Sequence, residues 1–242
     1  MSPQIECTPA TPAAPSAPVR RGLVCSHALA GAGARCPNPL CMSASRWFRW
    51  NLAIADRDGP LEQALNDYKF GGDRNWARLF GRMLAGFLVR RGPLITGFDL
   101  IVASPTFVGE GGRDFDHIRS ILLVAAGSLP SDRGCSIDSA TVPTIIRTGP
   151  TPRLTGNGYQ VRRRIAEEQL RAVLRAADPK RVTGRRVLVF DDVFTDGRTL
   201  NEVARALRVA GGAREVCGLS LCRQPWRGAD AAMTEVRRLP AA

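Results

Sequence analysis

The segment Val187 to Leu200, VLVFDDVFTDGRTL, concentrates the residue types best able to do chemistry in this 242-residue chain. An apolar run delivers two adjacent carboxylates, Asp191 and Asp192, to the carboxyl end of a buried strand, and a Thr/Gly turn then opens a helix. Ligands of open α/β sheets bind at that edge. The turn offers backbone N–H groups from Thr195 through Thr199, hydroxyls at Thr195 and Thr199, and Gly197, which lets an anion come close to the main chain. A carboxylate pair beside a phosphate cup suits a ligand whose vicinal hydroxyls lie near its phosphate, because ionised carboxylates accept hydrogen bonds from a diol.

Two other readings of the pair are weaker. Four apolar residues before DD also make a Walker B strand, but the chain contains no GxxxxGK[ST] loop to hold a triphosphate. Capping of the next turn explains one acid and leaves the second without a role. Like charges side by side are costly unless a ligand, a metal or a cation meets them.

Charge points the same way. Lys+Arg 34 against Asp+Glu 22 gives +12, and only Lys69 and Lys180 are lysines, so the positive surface is guanidinium, which grips phosphate bidentately. Residues 147–186 carry ten arginines and Lys180 against Glu167, Glu168 and Asp178. That concentration suits a phosphorylated small molecule, a nucleic-acid groove or a solvated basic face. Hydrophobic residues at 44% and charged residues at 23% exclude whole-chain disorder, collagen-like repeats and coiled coil. With no 18-residue apolar window and no secretory n- and h-region, a cytoplasmic protein without a membrane span is expected.

Three units are expected to position these groups. Residues 1–22 are Pro-rich and read as a disordered tail. Residues 23–58 form a small irregular N-terminal segment, in which Cys25, His27, Cys36 and Cys41 are either a zinc knuckle or free thiols, and Trp47, Phe48 and Trp50 either stack a base or pack on the main domain. Residues 59–242 read as α/β. Helices are predicted from Gly59 to Gly71, from Asp73 with a buried stripe Trp76, Leu79, Phe80, Met83, Leu84, Phe87 and Leu88, and over 113–126, 159–177 and 200–210. Continuous apolar runs at 98–103, 142–147, 186–190 and 215–222 are predicted to be strands of one parallel sheet. His117 reads as a structural histidine.

VLVFDDVFTDGRT resembles the phosphoribosyl pyrophosphate motif of type I phosphoribosyltransferases, a hydrophobic strand followed by DDVxTTGxT. The segment ALNDYKFGGDRNWARLFGRMLA is similar to a signature of the ComF-like competence family, through Tyr68, Lys69, Gly72, Asp73 and Gly81. RDFDH at Arg113 to His117 stands where that family has RGFNQ, and RTGPTPRLTGNGYQVRRRIAE resembles its R-x-x-T…Q…eRR loop through Arg147, Thr148, Gln160, Arg163 and Arg164. The likeness spans about 60 to 225.

The resemblance implies a type I phosphoribosyltransferase-like parallel sheet flanked by helices. It implies that Asp191 and Asp192 are the catalytic pair on the ribose hydroxyls, and that Thr195, Asp196, Gly197, Arg198 and Thr199 surround the 5-phosphate. Ala103, Ser104, Pro105, Thr106 and Arg113 would form the pyrophosphate side, and a mobile loop within 147–164 would bring Arg147, Gln160, Arg163 and Arg164. Phosphoribosyl pyrophosphate and Mg2+ are the implied ligands, the metal held mostly through ligand oxygens and water. The ComF-like likeness also implies a DNA-uptake or single-stranded-DNA accessory role with little or no transfer activity. Two departures stand out: Asp196 replaces the motif's second Thr, and RGFN has become RDFD, adding Asp114 and Asp116.

Overall fold

Uninterrupted runs of Val, Ile, Leu and Phe make strands that lose water on both faces, and helices must then cover each face. The computed structural model, which describes residues 24–25, 36, 38–130, 135–154 and 156–224, is an α/β structure built on that logic. In chain order it comprises a 3-10 turn Pro39–Met42, β1 (Asn51–Asp56), α1 (Gly59–Phe70), α2 (Trp76–Arg90), α3 (Gly92–Ile95), β2 (Leu100–Ala103), α4 (His117–Gly127), β3 (Ser136–Ile137) and β4 (Ile145–Arg147). Then come α5 (Tyr159–Arg164), running through a π-helical turn Ile165–Leu170 into α6 (Arg171–Val173), followed by β5 (Leu174–Ala176), a 3-10 turn Pro179–Arg181, β6 (Arg186–Phe194), α7 (Arg198–Val209) and β7 (Glu215–Arg223). The expected tail, residues 1–22, and His27 lie outside the described residues.

Five parallel strands stand in the order β1-β7-β6-β2-β3, with β6 at the centre. From β2 the chain moves through α4 to β3 on one side, and from β6 through α7 to β7 on the other. The winding therefore reverses between β2 and β6, and the crevice beyond their carboxyl ends is where such sheets bind ligands.

Side chains along β6 alternate between two cores. Leu188 and Phe190 join Ile101, Leu219 and the inner faces of α1, α2 and α4, whereas Val187 and Val189 join Leu100, Val102, Val216 and Leu200, Val203 and Leu207 of α7. Each of these large side chains, fully buried, contributes about 1.5–3 kcal/mol relative to exposure. Gly81 lets α2 and α4 approach closely: a Cβ there would fall 2.5 Å from Val124 Cγ1.

The structure departs from the sequence expectations at several elements. The run at 142–147 is not a strand of the parallel sheet. Only Ile145–Arg147 is extended, and it pairs antiparallel with β5 in a separate two-stranded sheet. Pro143 cannot donate to a ladder, the Thr144 N–H is taken by Asp138 Oδ2 at 2.7 Å, and β3 already fills the place beside β2. The helix predicted over 159–177 stops at Val173, where Leu174 turns extended to meet Arg147. The helix predicted from Arg113 starts at His117, because Asp116 caps it by accepting from the Arg119 N–H at 3.0 Å. Leu79, expected in the buried stripe, is exposed.

The segment 23–58 is also more than an irregular appendage. Asn51–Asp56 forms the edge strand β1, parallel to β7. Trp47, Phe48 and Trp50 pack on the main body rather than forming a base platform: Phe48 is buried with its ring edge-on to Phe194, and Trp50 meets Phe98 at 5.7 Å.

Candidate functional site

Asp191 and Asp192 sit near the carboxyl end of β6, which continues to Phe194. Alternation aims Asp192 at the α1 and α4 layer. There Lys69, from the last turn of α1, places Nζ 2.6 Å from Asp192 Oδ2, and His117, the first residue of α4, places Nε2 2.7 Å from the same oxygen. Tyr68 anchors this corner, fully buried, donating from its hydroxyl to the His117 carbonyl at 2.7 Å. An ionised carboxylate only accepts, so His117 carries its proton on Nε2; its buried Nδ1 has no hydrogen-bond partner among the described residues.

The two acids are driven apart electrostatically. Burial, reinforced by the Asp192 charge, pushes Asp191 up to about 7, against the pull of Lys69 and of hydrogen bonds from the Asp192 N–H and the Ser104 hydroxyl. Burial works against an ionised Asp192 as well, but Lys69 and His117 outweigh it and hold that carboxyl below the usual carboxylate range. One ionised and one protonated carboxyl can accept from and donate to a diol.

The turn after β6 differs from the expected open cup. Asp196, Gly197 and Arg198 are buried. The Asp196 side chain turns inward: Oδ1 accepts the Arg198 N–H at 3.1 Å, and Oδ2 lies 3.3 Å from Arg162 Nε. The N–H groups from Thr195 to Thr199 are therefore not all free. Arg198 does not neutralise Asp196 with its guanidinium, which meets Glu167 Oε1 at 3.3 Å, hydrogen-bonds Tyr159 and lies 4.6 Å from that ring's centroid. Asn38 donates to the Asp196 carbonyl at 2.9 Å, tying the N-terminal segment to the turn. Gly197 has φ +83°, and a Cβ there would press on Phe194 and Leu40, so its backbone faces packed side chains rather than an open approach for an anion. Thr195 and Thr199 remain partly accessible.

Across the crevice, Ala103, Pro105, Thr106 and Arg147 line a cavity of about 140 Å³ together with Asp116 and Arg119. Ser104 is buried, its N–H held by the Phe190 carbonyl at 2.7 Å. Arg113 donates to the Lys69 carbonyl at 3.0 Å and covers the exposed ring of Phe70 at 4.6 Å. Burial, with Arg113 nearby, lowers the Arg147 pKa, and its guanidinium donates to the Gly149 carbonyl at 3.2 Å and to the Thr151 hydroxyl. Gln160, Arg163 and Arg164 do not join this group: all three are exposed, and Arg163 pairs with Glu167 on its own helix at 3.0 Å. Arg162 and Tyr159, their neighbours one helical face away, make the contact with the turn.

Lys69, His117, Arg162, Tyr159 and Asn38 were not singled out as site residues by pattern. Lys69 did leave a trace. In a chain that uses arginine for nearly every cation, one of its two lysines marks a place for a compact point charge.

In the N-terminal segment, the sulfurs of Cys25, Cys36 and Cys41 all lie within 4.8 Å of one another, with Cys25 and Cys36 Sγ 3.2 Å apart. The Cys25 hydrogen bond, burial and the adjoining thiols push Cys41 up. Three clustered sulfurs fit the thiolate donor set of a zinc ion, whose Zn–S bonds of about 2.3 Å require such proximity. No protein-family model matches the chain, and no curated protein matches it.

Proposed function

We propose that the chain is a type I phosphoribosyltransferase-like protein that binds phosphoribosyl pyrophosphate, or a related phosphorylated ribose, with Mg2+ and passes phosphoribose to a nitrogenous acceptor. One observation carries the reading: Asp191 and Asp192 stand on the central strand at the crevice where the winding reverses, with the Thr195–Thr199 turn on one side and the Arg119 and Arg147 cavity beside Ala103–Thr106 on the other. A carboxylate pair flanked by a helix-opening turn on one side and an arginine-lined cavity on the other suits a sugar phosphorylated at two positions.

With Lys69 already on Asp192, the carboxylates suit a cation that arrives on the ligand's own oxygens rather than one caged by protein. When bound, Mg2+ supplies charge stabilisation on the departing pyrophosphate. The chain's own residues orient the ribose through Asp191 and Asp192 and present guanidinium groups to the phosphates. The Cys25, Cys36 and Cys41 cluster is proposed to hold Zn2+, with His27 as the candidate fourth ligand.

Calorimetric titration tests the reading. Heat from phosphoribosyl pyrophosphate that requires Mg2+ and disappears in Asp192→Asn is the expected result, with pyrophosphate release once an acceptor is supplied. Absence of binding by the wild-type chain would overturn it.

A second reading, a ComF-like single-stranded-DNA accessory protein, is favoured by Phe70: 58% exposed, it is bracketed by Arg113 at 4.6 Å and Arg153 at 5.5 Å. Aromatic rings among arginines stack bases while the cations meet phosphates. Salt-sensitive strand binding that falls in Phe70→Ala and ignores Asp192→Asn would favour it.

A further inference from the structure

Asp196 poses a physical problem that the phosphoribose reading leaves open. A carboxylate occupies the turn where that reading needs room for a phosphoryl group. Asp196, Arg162 and Arg198 are 4%, 9% and 5% exposed, so all three side chains are withdrawn from water. One carboxylate oxygen, Oδ1, caps the α7 N-terminus through the Arg198 N–H. The other, Oδ2, stands 3.3 Å from Arg162 Nε without a hydrogen bond forming between them, and Arg198 Nε also lacks a partner among the described residues. Buried guanidinium N–H groups and a buried carboxylate oxygen are costly to leave unbonded.

We infer that Asp196 is a built-in occupant of the phosphate seat. Its carboxylate is the anion that Arg162 and the α7 N-terminus hold while no phosphoryl group is bound, and a ligand phosphate enters by expelling it. The inference rests on the phosphoribose reading and assigns to Asp196 the control of phosphate affinity at that site.

Three physical points support it. The donors outnumber what one carboxylate satisfies: a phosphoryl group brings three terminal oxygens to Arg162, Arg198 and the helix N-terminus, and so meets the donors now left unbonded. Without a ligand the guanidinium charge is already partly offset, with Arg162 facing Asp196 and Arg198 sharing Glu167 with Arg163. Adding a phosphate dianion while Asp196 stays would place like charges together in a buried site, which is strongly unfavourable. Finally, Asn38 Nδ2 holds the Asp196 carbonyl, a contact to the backbone that does not depend on where the carboxylate points. An ordinary Asx turn fixing the start of α7 would give the same Oδ1 bond, and the two roles separate by experiment.

The test compares wild type, Asp196→Thr and Asp196→Asn by calorimetry and thermal melting, with inorganic phosphate and ribose 5-phosphate as probes and Asp192→Asn as a control for the ribose side. Asp196→Asn keeps an oxygen for the Arg198 N–H and so covers the case in which the threonine variant does not fold. Expected are at least tenfold tighter binding of both probes in the Asp196 variants, and melting temperatures that are low in phosphate-free buffer and recover on adding phosphate, while wild type barely moves. If wild type binds ribose 5-phosphate, Asp192→Asn abolishes that binding and the Asp196 variants bind no more tightly than wild type, the placeholder role is wrong and the phosphoribose reading stands. If neither wild type nor any variant binds either probe, both fall together.

Discussion

Lys69 Nζ lies 2.6 Å from Asp192 Oδ2, with both side chains largely withdrawn from water. This contact, joined by His117, is how the fold tolerates two adjacent carboxylates in a buried strand. Removing one partner of a buried pair leaves an uncompensated charge, so Lys69→Met is expected to cost about 3 kcal/mol in urea unfolding. The double variant Lys69→Met/Asp192→Leu, which removes both charges, should recover part of that loss. Lys69→Arg should not behave as wild type, because a planar fork does not replace a compact ammonium beside one oxygen.

Stability should depend on pH through Asp191. Burial and the Asp192 charge push its pKa up to about 7 in the folded chain, so between about pH 4 and 7 the native state binds a proton that the unfolded chain has lost. Asp191 therefore favours the folded state most at low pH, and that contribution declines as pH rises through this window. Asp192, held low by Lys69 and His117, acts in the opposite sense, its contribution being lost as pH falls below the usual carboxylate range. Melting temperatures of wild type and Asp191→Asn measured from pH 4 to 8 should diverge, the variant gaining on wild type as pH rises and the gap levelling off above pH 7. Parallel profiles would mean that Asp191 titrates normally.

What the sequence made legible and what it hid follow from one distinction. Continuous apolar runs report burial on both faces, so β2, β6 and β7 and the carboxylates carried by β6 could be read directly. The same runs do not report neighbours. Ile145–Arg147 is apolar enough for the parallel sheet, yet Pro143 and the Asp138 bond to Thr144 divert it to β5. Asn51–Asp56 went unread because its pairing with β7 spans most of the chain. In the site, spacing identified the acids but not their cations. Lys69, His117 and Arg162 reach them through tertiary contacts between elements far apart in sequence, and Arg162 was hidden beside Arg163 and Arg164, identical in type but facing water.

Glu202 on α7, 1% exposed, accepts two bonds from Arg171, Nε to Oε2 at 2.8 Å and Nη2 to Oε1 at 3.0 Å, and a third from Arg205 at 3.1 Å. The arginines reach solvent and the carboxylate does not, so the order of mutational costs is set by which group is stranded. Arg171→Ala alone should cost about 1 kcal/mol, since Arg205 still compensates the charge. Arg171→Ala/Arg205→Ala should cost about 3–5 kcal/mol by leaving a buried carboxylate unpaired, more than Glu202→Gln, which strands no charge. Denaturant midpoints of the three variants check the ranking.

If Cys25, Cys36 and Cys41 hold zinc, elemental analysis of the purified chain should find about one zinc per molecule, and Cys36→Ser should lower that content. Metal-bound thiolates are shielded, so Cys36, the most accessible of the three, should react with a thiol reagent only after chelation. Chelation should also lower the melting temperature, because binding to the folded cluster contributes to stability. Rapid thiol labelling without chelator, with no zinc found, would identify the three as free thiols.

Gly197 separates two costs that substitutions at glycine usually combine. Its φ of +83° penalises any L residue by about 1–2 kcal/mol, and a Cβ there would stand 2.9 Å from Phe194 Cζ and 3.3 Å from a Leu40 methyl. Gly72 has a similar φ of +76° but nothing within 4 Å of the added atom. Gly72→Ala therefore reports the backbone cost alone, about 1 kcal/mol, whereas Gly197→Ala adds overpacking of roughly 1–3 kcal/mol. The excess loss in Gly197→Ala, measured by denaturant unfolding, gives the resistance of the Phe194 and Leu40 contacts. Because those side chains define the floor of the Thr195–Thr199 turn, Gly197→Ala should also weaken ribose 5-phosphate binding, which Gly72→Ala should leave unchanged. Equal stability losses in the two variants would mean that the turn yields freely and that Leu40 plays no part in shaping it.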